Sequence, residues 1–403
     1  MNAAMSARSV FLCAGVLAFA GLSAAEPVSA ETKAAAGETA KIEMIDRNFQ
    51  QAKIGNVEFR FINAESGAPL SLEGLPWRLQ SKSGNSFRRL PDSMQGKING
   101  GAFWLANHPS GAALRFRTDS RKIAIRGTLA WSLDMNHMPR AGSSGFDLYR
   151  GNGPEAFHCG TFQPNAKQGD FAVTIYGTGD GKMSDYILNF PLYGGVKTLE
   201  IGILPGSKLE APTPHKVGKP ILFYGSSITQ GGCASRPGNM YPSQLCRAVD
   251  AEQINLGFSG GGKGEPAVAE LIASLDLACF VYDYDYNAPN EAHLKKTHEP
   301  FFEIIRKAHP ELPIIILSKC SIWRDTDYEY NSRRRDIIRK TYENAVGKGD
   351  RHVYFIDGET LFGTDGRDTC TVDRCHPNDL GFRRMYECVL PVLKKALAEA
   401  EKK

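Results

Sequence analysis

The feature that constrains this chain most is a change of rhythm near residue 211. From residue 41 to about 213, short alternating runs recur: "VEFRFI", "AFWLAN", "ALRFRT", "KIAIRG", "FAVTIYG" and "TLEIGIL". Clusters of Gly, Asn, Ser and Pro separate them, and no long stripe of 3.6-residue period appears. Side chains of a strand point alternately to two faces, so this pattern predicts a β-sandwich of jelly-roll type. The polar, Pro-rich stretch "APTPHKVGKP", Ala211 to Pro220, reads as a linker. After it, strand-like "PILFY", "INLGF", "LACFVYD", "PIIILS" and "HVYFID" alternate with helical stretches. One of these puts Ile337, Ile338, Thr341, Tyr342 and Ala345 on one face. The last carries Phe382, Met385, Val389, Leu393 and Leu397 at similar spacing. Alternating strands and helices predict an α/β domain over residues 219–398, a parallel sheet with helices on both faces.

Length and composition set outer bounds. A chain of 403 residues is natural for two domains, and 42% hydrophobic with 23% charged residues is ordinary for a globular protein. The net charge of +4 is dispersed, so nothing argues for nucleic acid or an acidic membrane surface as partner. At the start, Arg8 precedes the apolar run "VFLCAGVLAFAGL" and the small residues "SAAEPVSA". That order predicts a secretory signal over residues 1–30, cleaved after Ala25 or Ala30. The run is too short to span a membrane comfortably, so the expected mature chain has no integral membrane segment and is exported, to the periplasm or beyond.

Export permits disulfides. Nine cysteines are present, and removal of Cys13 leaves an even set. Cys279 falls inside a strand pattern, while Cys246 and Cys388 fall in helical ones, as buried thiols do. No Cys/His cluster has zinc spacing, so a structural metal is not expected.

The stretch "FYGSSITQGG", Phe223 to Gly232, carries the chemistry. An apolar strand ends at a glycine and is followed by two serines. In a parallel sheet the reactive groups sit beyond the carboxyl ends of the strands, where a tight turn can present a small hydroxyl residue. Ser226, Ser227 and Thr229 are also good helix N-caps, so the turn alone does not decide. A serine nucleophile needs an imidazole to take its proton and a carboxylate to orient the imidazole. The stretch "DRCHPNDLGF" places Asp373 three residues before His376. Oxyanion donors belong at the ends of neighbouring strands. There "NLGFSGGGKGE" offers backbone N–H groups at its glycines, and "DYDYNAPN" offers the Asn287 amide.

With these four stretches in order, the C-terminal half resembles the SGNH (GDSL-type) hydrolase family. "GSSIT" is similar to its GDSIT block, and the resemblance makes Ser227 the nucleophile. It makes Gly260 the backbone donor in "NLGFSG", Asn287 the side-chain donor in "DYNA", and Asp373 and His376 the D-x-x-H pair. The Ser227 N–H would complete the oxyanion hole. Ser226, Asp285 and Ala288 stand where the family usually has Asp, Gly and Asp. "GSSGFDLY", Gly142 to Tyr149, is similar to the G-x-D-L-Y signature of β-sandwich domains that precede some of these hydrolases. Read from the residues alone, it is a turn into a strand, with Asp147 satisfying local amides.

The resemblance implies a serine esterase needing no metal or organic cofactor. The expected substrate is an acylated carbohydrate, most often acetylated. Arg236 and Tyr241, after the nucleophile, and Trp323 and Arg324 in "SIWRDTDYEY" are the candidate sugar contacts, with surface packing as the alternative. A lipase or lysophospholipase, a thioesterase, and a non-catalytic glycan-binding protein are the rival readings. The loops are polar where a lipase would want an apolar channel, and a binding module has no use for a Ser/His/Asp set. If the triad forms, Cys233, Cys370 and Cys375 are expected in one neighbourhood at its rim, where a bridge between two of them is possible chemistry.

Overall fold

A computed structural model describes residues 51–80, 86–321, 323–325 and 327–401. The expected export segment over residues 1–30 lies outside them. The first half contains β1 (Gln51–Ile54), β2 (Val57–Asn63), β3 (Ser71–Glu73), β4 (Ala113–Thr118), β5 (Ile123–Trp131) and β6 (Phe146–Arg150). It continues with β7 (Phe157–Phe162), β8 (Asp170–Tyr176), β9 (Ser184–Asn189), β10 (Gly195–Ile203) and β11 (Leu209–Glu210). They form two antiparallel sheets, in the orders β1-β2-β10-β5-β8 and β11-β4-β9-β6-β7, with β3 paired to β4. The period-two pattern is the cause. Ile125 and Ile201 of one sheet and Leu114, Phe116, Phe146 and Leu188 of the other turn into a common core. Each such side chain contributes roughly 1.5–3 kcal/mol by leaving water.

One alternating run did not become a strand. "AFWLAN" lies in the helix Gly100–Leu105, because the Asn99 side chain accepts the Ala102 N–H at 2.9 Å and caps it. Ala102 and Leu105, three apart, then share the buried side, and Trp104 is left 52% exposed.

The second half holds β12 (Val217–Gly225), β13 (Ala251–Gly257), β14 (Cys279–Asp283), β15 (Ile314–Leu317) and β16 (Val353–Ile356). All pairings are parallel, in the order β13-β12-β14-β15-β16. Leu222, Tyr224, Phe280 and Tyr282 face one core, covered by the helices Pro266–Ala273, Glu291–Ala308 and Tyr328–Gly347. Ile221, Phe223, Cys279 and Val281 face another, covered by Tyr241–Val249 and Asp379–Ala400. The last helix buries Phe382, Met385, Val389, Leu393 and Leu397, the stripe its spacing predicts. Strand order reverses at β12, so the crevice beyond its carboxyl end, beside β14, is the natural place for a site.

The Pro-rich segment is anchored at its end. Val217 onwards belongs to β12, and the His215 ring bonds Glu73 through Nε2 and Asp250 through Nδ1, each at 2.9 Å. All cysteines among the described residues are free thiols, so the bridge expected near the triad is not formed. Cys370 is fully buried. It packs under the last helix, with its Sγ 3.5 Å from Arg384 Nη1.

Candidate active site

The turn after β12 is made by a crowded glycine. A Cβ on Gly225 would stand 2.1 Å from Thr229 Oγ1 and 2.5 Å from Asp283 O, so no other residue fits. Ser226 then caps the one-turn helix Ser227–Gln230, its Oγ accepting the Ile228 N–H at 3.2 Å. Gly231, at φ +101°, ends that helix. The cap role and the presented hydroxyl thus fall to different serines. Beneath the turn, buried Asp283 accepts from Thr229 Oγ1 at 2.8 Å and from Tyr241 Oη at 2.9 Å. Burial outweighs both donors and pushes the Asp283 carboxyl up to about 7.

His376 meets Ser227 from the loop before the last helix. Ser227 Oγ lies 2.8 Å from His376 Nε2, and His376 Nδ1 lies 2.7 Å from Asp373 Oδ2. The other Asp373 oxygen accepts the backbone N–H groups of Cys375 at 3.0 Å and His376 at 2.7 Å. Burial alone would raise the Asp373 pKa, but these hydrogen bonds from His376 and Cys375 hold it below the usual carboxylate value. An ionised Asp373 fixes the proton on Nδ1 and leaves Nε2 free to accept from the serine hydroxyl.

Gly260 and Asn287 follow the two strands that flank β12. Gly260, exposed, has φ +68° with open space where a Cβ would stand, so backbone conformation and not crowding calls for glycine. Among the described residues no acceptor takes the N–H of Gly260 or of Ser227. The loop is tied to the nucleophile turn by the Ser259 N–H, which donates to Gln230 Oε1 at 2.9 Å. Asn287 Nδ2 donates to Phe258 O at 2.7 Å, which leaves its second N–H for a ligand.

The unusual residues around Asn287 are held by Arg334. Its Nε donates to Asp285 Oδ1 at 2.8 Å, and its two terminal nitrogens each reach Ala288 O at 3.2 Å. One buried guanidinium thus clamps the chain on both sides of Asn287. Sequence reading missed Arg334, whose only local signal is an arginine triplet inside a helix.

The N-terminal half also reaches the site. Asp147 of the "GFDLY" stretch is fully buried, and its amide partner is not local. Asp147 Oδ2 accepts from Arg236 Nη1 at 2.8 Å and from the Gly238 N–H at 2.9 Å, both in the loop after the nucleophile. Tyr193 Oη donates to Ser227 O at 3.5 Å, and the His137 ring lies 6.1 Å from that of His376. No local pattern marks Tyr193 or His137.

The four candidate sugar contacts fall in different surroundings. Tyr241 is fully buried, its hydroxyl spent on Asp283, so it is a core residue. Arg236 is held by Asp147 and by Tyr149 Oη at 2.5 Å, as a brace between the two halves. Trp323 pins the Asp/His loop, its Nε1 donating to Arg374 O at 2.6 Å. Arg324 is exposed and pairs with Glu359.

A hydroxyl, an imidazole and an ionised carboxylate in series, beside free N–H groups, can form and break an acyl ester. Comparison with known proteins points the same way. Residues 218–394 match the GDSL-like lipase/acylhydrolase family, and residues 59–209 match the N-terminus of SGNH-hydrolase-type esterases. No curated protein matches the chain. Among solved structures, a Bacteroides ovatus protein described as a GDSL-like lipase is 29% identical, with a TM-score of 0.74 over 84% of this chain and 98% of its own. A salicylyl-acyltransferase of a tetracycline biosynthetic pathway is 21% identical, with a TM-score of 0.68 over 84% and 98%. An acetyl xylan esterase of Butyrivibrio proteoclasticus is 12% identical, with a TM-score of 0.52 over 84% and 99%, and shares the fold. Residues 218–394 thus form a GDSL-like lipase/acylhydrolase domain behind a GxDLY-type N-terminal region at residues 59–209, and the protein is a serine ester hydrolase.

Proposed function

We propose that the protein removes acetyl or other short acyl groups from carbohydrate hydroxyls, outside the cytoplasm, through an acyl-enzyme on Ser227. The observation that carries this reading is the 2.8 Å contact between Ser227 Oγ and His376 Nε2. His376 takes the serine proton as Oγ attacks the acyl carbonyl, and the carbonyl electrons move onto oxygen. The N–H groups of Ser227 and Gly260 and the Asn287 amide receive that oxyanion. As the intermediate collapses, the imidazolium returns the proton to the departing sugar oxygen. Water, deprotonated by His376, then attacks the acyl-serine, and the carboxylic acid leaves with Ser227 restored.

A hydrated alcohol as leaving group is supported by the polar surroundings of the pair. Asn136 and His137 lie on one side, and Asp373 and Arg374 lie in the loop of the base itself. A long acyl chain would call for an apolar channel there. The test is acetate release from a panel of acetylated polysaccharides, set against triglyceride and phospholipid esters, with Ser227→Ala protein as control. Release from a glycan that stops in Ser227→Ala is the expected result. Turnover confined to the lipid esters overturns the carbohydrate assignment.

A further inference from the structure

Two tryptophans of the N-terminal half stand beside the nucleophile turn without a role in the scheme above. Trp131, at the end of β5, stacks on Trp104 with centroids 6.0 Å apart and planes 22° from parallel. Trp131 is the inner ring. Its Nε1 donates to Tyr193 O at 3.0 Å, and a Cβ on Gly195 would stand 2.6 Å from the indole, so this glycine exists to let the ring lie flat on the backbone. Trp104 is the outer ring and is 52% exposed, an unusual state for so large an apolar side chain.

Both rings contact His108, with Trp104 at 4.6 Å and Trp131 at 5.6 Å between centroids. His108 is 1% exposed, and its Nε2 has no hydrogen-bond partner among the described residues. Its Nδ1 lies 3.3 Å from Gln230 Nε2, the last residue of the turn that begins at Ser227. Burial, then the charge of Arg89, keeps this imidazole neutral, with its pKa down to about 3. A buried, uncharged and half-unpaired imidazole between an aromatic pair and the nucleophile turn is costly unless a ligand group completes it.

We infer that Trp104, backed by Trp131 and edged by His108, is a binding platform for a pyranose ring of the glycan next to the one that carries the ester. This rests on the carbohydrate-esterase reading above. The platform reaches Ser227 only through intermediates, His108 with Gln230 and Tyr193, and among the described residues neither indole faces the His376 ring as His137 does. What it holds is therefore a neighbouring unit of the substrate and not the reacting ester. An indole face suits the apolar face of a pyranose, and Trp104 presents such a face to solvent. The platform would make the enzyme prefer oligomers over acetylated monosaccharides.

The test separates binding from turnover. Ser227→Ala protein is titrated calorimetrically with xylohexaose, cellohexaose and mannohexaose, alone and combined with Trp104→Ala or Trp104→Phe. At least one hexaose is expected to bind, to weaken about tenfold with Trp104→Ala, and to recover in part with Trp104→Phe. In the protein with Ser227 intact, the effect of Trp104→Ala on kcat/KM is compared between acetylated oligosaccharides and aryl-acyl esters. Trp104-dependent binding of a hexaose supports the platform even if no acetylated glycan is turned over, and in that case only the esterase reading fails. No hexaose binding, or binding indifferent to Trp104, overturns it. So does a Trp104 effect seen on aryl-acyl esters alone, which assigns the platform to an aromatic acyl group.

Discussion

Arg236 and Asp147 form an ion pair at 2.8 Å, with the carboxylate fully buried and the same oxygen also accepting the Gly238 N–H. The pair joins the signature strand of the N-terminal half to the loop that leaves the nucleophile turn. Removing one partner of a buried pair leaves an uncompensated charge, at a cost of about 3–5 kcal/mol. Asp147→Ala should therefore lower the unfolding free energy read from urea curves by an amount in that range. It should also lower kcat on p-nitrophenyl acetate, because Arg236 and Gly238, which it holds, lie in the loop that follows the Ser227 turn. A variant with wild-type kcat would mean that the brace is structural only.

The two adjacent serines should behave differently. Ser227→Ala is expected to reduce kcat by more than roughly 10⁴-fold, as loss of a nucleophile does, and His376→Ala should match it. Ser226→Ala removes only a helix cap, a loss of about 1 kcal/mol in stability with most activity kept. Steady-state rates on p-nitrophenyl acetate decide this, and equal rates in the two serine variants would sink the assignment.

Asn287→Ala should lower kcat on the order of 100-fold with little change in KM, since it removes a donor aimed at charge present only in the transition state. Arg334 acts through Asn287, so Arg334→Lys should show the same kcat signature in weaker form, with a loss of stability visible by thermal denaturation. If Asn287→Ala moved KM alone, the oxyanion would be received elsewhere.

The His215 bridge between Glu73 and Asp250 should make stability depend on pH. Burial alone would lower the His215 pKa, but its hydrogen bonds to the carboxylates raise it above the ordinary 6.5. Its contribution is therefore complete below that unfolded value and is lost as pH rises through the folded one. Burial would raise Glu73, yet the bonds and charges of His215 and Arg115 bring it below 4.5. The Glu73 contribution is present above 4.5 and is lost as pH falls through its lowered folded value. His215→Ala should then cost about 2 kcal/mol near pH 6 and less near pH 9, read from urea curves at both. An equal loss at the two pH values would show that the imidazole packs there without charge.

What the sequence made legible was local. The period-two runs became sheets, and the strand–helix alternation became the parallel sheet, because burial on one face or two is written in consecutive residues. Ser227, His376 and Asp373 could be found because each sits in a short stretch with its own turn chemistry. "AFWLAN" misled because six residues cannot separate alternation from a helical face, and the Asn99 cap outside the run decided it. Tyr241 looked like a surface aromatic in a polar loop, whereas its hydroxyl is matched by Asp283, 42 positions away. Tyr193, His137, Trp104 and Arg334 reach the site only through tertiary packing, and no neighbour in sequence announces them.

Ser227 and His376 stand 149 positions apart, the first at the opening strand of the second half and the other just before its closing helix. Joining them closes a long loop, and the entropy of that closure must be met before the contact returns anything. A chain synthesised from its amino end therefore displays a finished serine turn while the imidazole is still unmade. Catalytic power then arrives in a single late step, with the docking of the final helix. Chains that lack the closing helix leave one face of the parallel sheet uncovered and are chemically silent, so hydrolysis itself reports that folding has finished.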